Sequence, residues 1–434
     1  MTEPARDELP DEISDLLVEI DAFIEAEIKP LEEADDNARF LDHRREHSRT
    51  DFEAGGIPSR EWEDLLEQAM ARADRAGLWR YPLPAELGGR DGTNLGMAVV
   101  REHLARRGIG LHNDPQSEIS IVGNFPTVIL MHEFGSPKQR ERFLEPALRR
   151  EVALAFGLTE PNHGSDATYL ETTARRDGSE WVIDGVKRFN SGMHRASHDL
   201  VFARTSGSPG EALGITAFIV PRDAPGLEIE FYWWTFNMPT DHAEVSLRGV
   251  RVGDDAILGE LDRGLELAQR FVHENRIRQA ASSLGAAAFC IDEAVKWARD
   301  RCVWGKPLWR NQAIQFPLAE LWTECELVRG LVRRTAAELD RRHHMEVSHL
   351  VAMANYRANR LACDAADRAM QTCGGIGYTR HMPFEHIYRH HRRYRITEGA
   401  EEIQLRKVGY ELFAGTGQGP QSDASFQARA KADQ

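Results

Sequence analysis

The residues best suited to chemistry in this chain come in short runs. In "ITEGAEE" (396–402) a carboxylate, Glu398, is followed by Gly399. A carboxylate in a dry pocket can take a proton from carbon, and a neighbour without a Cβ lets a backbone N–H approach a carbonyl oxygen. The same pair also suits an ordinary helix start, where an early Glu serves the cap. In "AFGLTEPNHGSD" (155–166) the apolar run stops at Leu158, turns through Thr159, Glu160 and Pro161, and continues in small and polar residues. Glu160, preceding proline, is biased to extended backbone. Such a loop is either a surface connection or a cradle whose backbone lies against a flat, polar ligand. Histidines cluster at His343-His344 and at His381, His386, His390 and His391. Their spacing lacks a Cys or carboxylate partner set, so no metal is expected, and "RHHRRYR" (389–395) reads as a solvated or anion-facing basic patch.

The 434 residues carry 54 basic and 69 acidic side chains, a formal net charge of -15. That balance argues against a general nucleic-acid surface, which needs clustered Lys and Arg, and leaves room for one anion-binding patch. With 41% hydrophobic and 28% charged residues, the chain can bury a sizeable core. Cys290, Cys302, Cys325, Cys363 and Cys373 show no CxxC spacing and read as reduced thiols. The N-terminus lacks an apolar signal core, and no apolar run approaches the roughly 18 residues that span a bilayer. A soluble, cytoplasmic protein without nucleic-acid or membrane partners is expected.

The elements that must position these residues fall into three regions. Residues 1–151 have a helical period: "EISDLLVEIDAFIEAEIKP" puts Ile13, Leu16, Leu17, Ile20, Phe23 and Ile24 on one face and stops at Pro30. The polar stretch 35–50 reads as a loop or exposed excursion. Residues 152–262 switch to short β-rich runs, predicting a small antiparallel barrel or sandwich; in "EWVIDGVKRFN" a hairpin is expected with Asp184-Gly185 at its turn. Residues 263–412 return to helices, the first from Leu265 to Val303 and the last beginning near Gly399, which suits a four-helix bundle. Residues 413–434 read as a disordered tail. The fold class is mainly α with a central antiparallel β domain.

Within this order stand "LTEPNHGSD" (158–166), "VKRFNSG" (186–192), "RCVWGKPLWRNQ" (301–312) and "QTCGGIGYT…RITEGAEEIQ" (371–404), with "PAELGG" (84–89) and "RDAPGLEI" (222–229) as weaker support. Together, from about residue 13 to about 412, they resemble the acyl-CoA dehydrogenase family. The resemblance implies FAD-dependent desaturation of an acyl-CoA thioester. Glu398 would abstract the α-proton, the β-hydride would pass to flavin N5, and electrons would go to an electron-transferring flavoprotein. An oxidase using dioxygen and a non-catalytic thioester-binding member are the alternatives on the same fold. A homo-oligomer is implied, a dimer of dimers by the family norm.

The resemblance also assigns roles by position. The backbone around Phe156, Leu158, Thr159, Gly164 and Ser165 would lie along the isoalloxazine. Phe189 stands where many relatives carry Trp to shield one flavin face, and Ser191 would donate toward the ring's N5/O4 edge. Arg301, Trp304 and Gln312 would take the pyrophosphate and adenosine half, with Ala400 as a further contact. Gln371, Gly374 and Gly375 resemble the segment that reaches the FAD of a neighbouring subunit. Ser165 would meet the pantetheine arm, His273 stands where some relatives use Asp to meet the substrate, Arg276 would orient the base or substrate head, and Gly399 would face the thioester carbonyl. Some relatives carry the base on the long helix, where this chain has Asn275, an amide that cannot accept the proton. Glu274 lies about 100° around that helix and should point elsewhere.

Overall fold

The structure is a computed structural model and describes residues 9–414. Helix α1 (Asp11–Phe23) buries Ile13, Leu16, Leu17, Ile20 and Phe23, as their spacing dictates. A short π-turn carries the chain into α2 (Lys29–Glu33). Pro30 lies in the first turn of α2, where a missing N–H costs nothing, so the helical path passes through it instead of stopping there. The stretch 35–50 is not the exposed excursion its polarity suggests. Phe40 is 1% exposed and packs on Trp62 at 5.6 Å, and buried Arg49 donates to the Phe40 carbonyl at 2.5 Å. One buried aromatic and one buried guanidinium, bonded through Nη1, anchor an otherwise polar run. Strand β1 (Thr50–Asp51) then pairs with β2 (Ile57–Pro58).

Helix α3 (Arg60–Arg75) buries Trp62, Leu65, Leu66 and Ala69. Helix α4 (Asn94–Arg106) is capped by the Thr93 side chain, and α5 (Pro126–Phe134) begins at a proline. Helix α6 (Pro137–Leu148) opens on a Ser136/Gln139 capping box.

The β region contains β3 (Leu154–Gly157), β4 (Thr173–Asp177), β5 (Glu180–Ser191), β6 (His198–Arg204), β7 (Ile215–Pro221), β8 (Leu227–Tyr232), β9 (His242–Gly253) and β10 (Ile257–Leu258). They form one sheet in the order β10-β7-β6-β3-β5-β9-β8, with β4 beside β5 and β6. Pairing is antiparallel except where β6 meets β3 and β4. The expected hairpin at Asp184-Gly185 does not exist: β5 runs straight through these residues, and the turn lies at Gly178 between β4 and β5. Twelve-residue β9 supplies partners along the whole of β5, and the Asp184-Gly185 pair is absorbed as a bulge. A Cβ at Gly185 would come within 2.3 Å of Thr172 Oγ1, so that glycine serves close packing.

The C-terminal part holds α7 (Gly264–Asp300), the two-residue strands β11 (Cys302–Val303) and β12 (Lys306–Pro307), α8 (Gln312–Leu339), α9 (Ser348–Cys373), α10 (Phe384–Arg392) and α11 (Glu401–Ala414). Helix α7 ends before Val303 because β11 pairs with β12 across Trp304 and Gly305, both at positive φ. Small residues, Ala280, Ala281, Ala287 and Ala294 on α7 with Ala354, Ala358 and Ala365 on α9, belong to one core and let the helices approach closely. The two helices run parallel: Asn355 Nδ2 donates to the Arg276 carbonyl at 2.8 Å, and Ser283 donates to Asn359 Oδ1 at 2.7 Å. Helix α11 reaches Ala414, past the expected end of the bundle at 412; residues 415–434 of the expected tail lie outside the described residues. Cys290, Cys325, Cys363 and Cys373 are buried, Cys302 is exposed, and all are free thiols. Among the described residues no helix is long and apolar enough to cross a membrane.

Candidate active site

Helices α7 and α9 and the turn before α11 converge on Glu398. That turn places two consecutive residues in the left-handed region, Glu398 at φ 57° and Gly399 at φ 94°. For glutamate this is a strained conformation, which persists only when its surroundings enforce it. The enforcement is visible. Arg276 Nε and Nη2 donate to the Glu398 carbonyl, Gln404 Nε2 donates to the Gly399 carbonyl at 2.9 Å and to Asn355 Oδ1 at 2.8 Å, and Asn355 grips the Arg276 backbone. A Cβ at 399 would lie 2.7 Å from Arg276 Nη2 at a positive φ, so a side chain there would strain the turn and push on the guanidinium that holds it.

The Glu398 residue is half-buried, but its carboxyl group sits deep among protein atoms. Burial pushes its pKa up to about 7, against smaller downward pulls from Arg276, Arg278 and the Asn275 amide. Asn275 Nδ2 donates to Glu398 Oε1 at 3.3 Å. Glu274 is paired with Arg270 at 2.9 Å and does not enter the site.

The loop after β3 is pinned from behind. Glu160 is buried, accepts from the backbone N–H groups of Glu171 and Thr172, and pairs with fully buried Lys187 at 2.7 Å. Arg188 N donates to the Thr159 carbonyl at 2.8 Å. Beside this loop Phe189, at φ 62°, is 45% exposed and lies 5.7 Å from the Trp233 ring, so it is no strand-core residue. The Ser191 hydroxyl lies 3.3 Å from His242 Nδ1. His163 is engaged within the loop by Asp166 at 2.8 Å. Phe156 stacks on Phe271 at 4.0 Å, which joins the loop to α7 about one turn before Asn275 and Arg276. Its ring is thereby occupied, and its backbone is what remains for a ligand.

Other expected site residues lie elsewhere. Arg301 follows Arg276 by 25 positions along α7, about 37 Å of helix rise, so Arg301, Trp304 and Gln312 cannot join Glu398 within one chain. Trp304 is 94% exposed. Gln371, Gly374 and Gly375 are exposed at the same distant end, because α9 runs parallel to α7. His273 is buried with its Nδ1 2.7 Å from His344 Nδ1; burial, then Arg276, holds its pKa down to about 3, so it is neutral and committed to a histidine pair.

"RHHRRYR" is not a solvated patch. Arg389, His390, His391 and Tyr394 are buried, Arg389 on Glu46 and Glu385, and His390 on Glu118 at 2.8 Å. Glu46 and Glu118 come from elsewhere in the chain, while Glu385 lies one turn back on α10. Glu118, His390 and His391 have ligand atoms within 4.8 Å of one another, but Arg278 lies 3.8 Å from Glu118 and Arg393 Nη2 lies 3.4 Å from His390 Nε2. Two guanidinium groups at that range oppose a dication; burial lowers the pKa of both histidines, and the cluster is a buried hydrogen-bond network around the Glu118–Arg278 ion pair. Glu118, Arg278 and Asn124 escaped sequence reasoning; only the i, i+3 spacing of Asn275 and Arg278 hinted that both share a helix face.

Family models for the N-terminal, middle and C-terminal domains of acyl-CoA dehydrogenases match residues 10–151, 155–250 and 262–413. The chain belongs to the acyl-CoA dehydrogenase family. It is 34% identical over 357 residues to the 3-(aryl)acrylate reductase of Clostridium sporogenes, covering 81% of this chain and 91% of that protein. It is 33% identical over 338 residues to the human short-chain specific acyl-CoA dehydrogenase, mitochondrial, covering 78% and 80%. The structure of butyryl-CoA dehydrogenase from Megasphaera elsdenii matches with a TM-score of 0.76 at 27% identity, covering 95% of this chain and 100% of that one. As an acyl-CoA dehydrogenase, the protein is an oxidoreductase with FAD as its cofactor. The residues fit that group: an exposed aromatic ring at Phe189 stands beside an anchored loop, and a Cβ at Gly164 would meet only Thr159 Cγ2 at 3.8 Å, leaving the loop backbone open to a flat ring.

Proposed function

We propose that this acyl-CoA dehydrogenase desaturates an acyl-CoA at the α and β carbons, with Glu398 as the base, and that its electrons leave to an electron-transferring flavoprotein. Bound FAD supplies the hydride acceptor. Glu398 takes the α-proton; an enclosed carboxyl group with a pKa of about 7 is close to isoenergetic between its two forms at neutral pH, as a base acting on carbon requires. The backbone N–H of Gly399 polarises the thioester carbonyl, Phe189 covers one face of the ring, Thr159 and Ser191 meet its polar edge, and Ser165 meets the pantetheine arm. The single observation carrying this reading is the enclosed Glu398 carboxyl on a backbone locked by Arg276.

The turn at 301–312 and the glycines at 374–375 then serve the FAD of a second copy, which makes the working unit at least a dimer. What supports this is the helix length: the same chain cannot bring both ends to one flavin. The free thiols suit a reducing compartment, and the cytoplasm is the proposed location.

A second direction follows from the reductase relative, whose name describes reduction of an acrylate. The same residues would then run in reverse, with protonated Glu398 delivering the α-proton. Anaerobic titration of the yellow protein with a panel of acyl-CoAs, watching the flavin absorbance, tests the oxidative reading. Bleaching by an acyl-CoA that is lost in Glu398→Gln, with FAD retained, is expected. A Glu398→Gln protein that still bleaches at the wild-type rate refutes the base assignment.

A further inference from the structure

Asn275 holds the position a base would need on α7, yet in this chain it acts on a base that comes from another segment. Its Nδ2 donates to Glu398 Oε1 at 3.3 Å, while its Oδ1 accepts from Asn124 Nδ2 at 2.8 Å. The second bond orients the first: an amide whose oxygen is engaged by a donor turns its NH2 to the opposite side, here toward the carboxylate. Asn275 is 5% exposed, so bulk water does not compete for either bond. Asn124 is itself held on both sides. Gly123 N donates to the Trp79 carbonyl at 2.8 Å, and the Phe125 ring packs edge-on against Trp79 at 4.6 Å. Among the described residues no hydrogen bond reaches the other carboxylate oxygen, Glu398 Oε2. The charged groups acting on the carboxylate are Arg276 and Arg278, both on α7.

We infer that Asn124 and Asn275 form an amide relay that positions the Glu398 carboxylate, holding Oε1 and leaving Oε2 free to take the proton. This rests on Glu398 being the base. Both asparagines are positioning residues: they act through Glu398 and accept no proton themselves. A donor on Oε1 also favours the ionised carboxylate, so the relay keeps the base ready at a pH where burial alone would leave it protonated.

The test uses the FAD-loaded protein with Asn275→Leu, Asn275→Asp and Asn124→Leu. Single-turnover flavin reduction by an acyl-CoA is followed from mildly acidic to mildly alkaline pH. Asn275→Leu should move the acid limb of the rate profile up by about one pH unit, the effect of losing one donor to a carboxylate. Asn124→Leu should move it the same way by less, because Asn275 keeps its NH2 but loses its orientation. Asn275→Asp should shift it furthest, since a like charge beside a carboxylate disfavours ionisation. The shift should also be visible without turnover, as a matching displacement in the pH dependence of thermal unfolding. If Asn275→Leu does not retain FAD, Asn124→Leu, on the segment before α5 and one hydrogen bond further from Glu398, decides. Wild-type profiles for Asn124→Leu and Asn275→Leu, at full flavin content, overturn the relay. Glu398→Gln separates the two ideas. If it still turns over, the base assignment fails; if it is inert while the asparagine variants match wild type, only the relay fails.

Discussion

Arg276 places two donors, Nε at 2.8 Å and Nη2 at 2.5 Å, on a single acceptor, the backbone carbonyl of Glu398. The guanidinium thus fixes where Glu398 stands without forming a direct ion pair with its carboxylate. A direct Arg–carboxylate pair would drag the pKa well down; held at one remove, Arg276 loses to burial, and the acid sits near 7.

That balance has a consequence for stability. Glu398 titrates at about 7 in the fold against an ordinary 4.5, so between those values the folded state binds more protons than the unfolded. Stability contributed at this site is complete below the unfolded value, falls as pH rises through the window, and levels off above about 7. Glu398→Gln removes the titration. Its melting temperature relative to wild type should therefore climb from acidic to neutral pH, measured by calorimetry at matched FAD content. A constant difference would mean that the carboxyl group is not buried as described.

Gly399→Ala puts a methyl group 2.7 Å from Arg276 Nη2 at a φ of 94°. Strain of about 1–3 kcal/mol is expected in denaturant unfolding. If Glu398 is the base, displacing its carboxyl group by about 1 Å should slow flavin reduction by roughly 10²-fold. Rapid-mixing spectroscopy reads the second effect; an unchanged reduction rate would show that the turn tolerates a side chain.

Lys187 and Glu160 hold the loop after β3 from beneath, both side chains all but inaccessible. Lys187→Met leaves the Glu160 carboxylate buried with only backbone donors, at a cost of about 3–5 kcal/mol in urea melts. Adding Glu160→Gln should recover part of that loss. No recovery in the double variant would indicate that Lys187 acts through packing alone.

Arg301 offers a test of the shared site. Arg301→Ala should lower FAD retention while leaving the secondary structure of the protein intact by circular dichroism. Mixing Arg301→Ala chains with Glu398→Gln chains should restore activity, because a mixed pair contains one site with Glu398 from one copy and Arg301 from the other. Mixtures that stay inactive despite proven subunit exchange would place both residues in one subunit's site.

The sequence by itself determined the helix faces, the strand-rich middle and the motif that contains Glu398. The buried stripe of α1 is legible because a 3.6-residue period is a local property of the chain. The same local logic misjudged Asp184-Gly185, a turn dipeptide that β9 holds in a continuous strand, and "RHHRRYR", a basic run that the distant Glu46 and Glu118 help to bury. Only the tertiary structure decided that Asn124 and Asn275 meet at Glu398, and that Arg301 lies a helix length away from it. Spacing along a chain records which side chains share a face. It carries no record of which distant segment will supply the opposite charge or the second amide, because that choice is made by packing between elements.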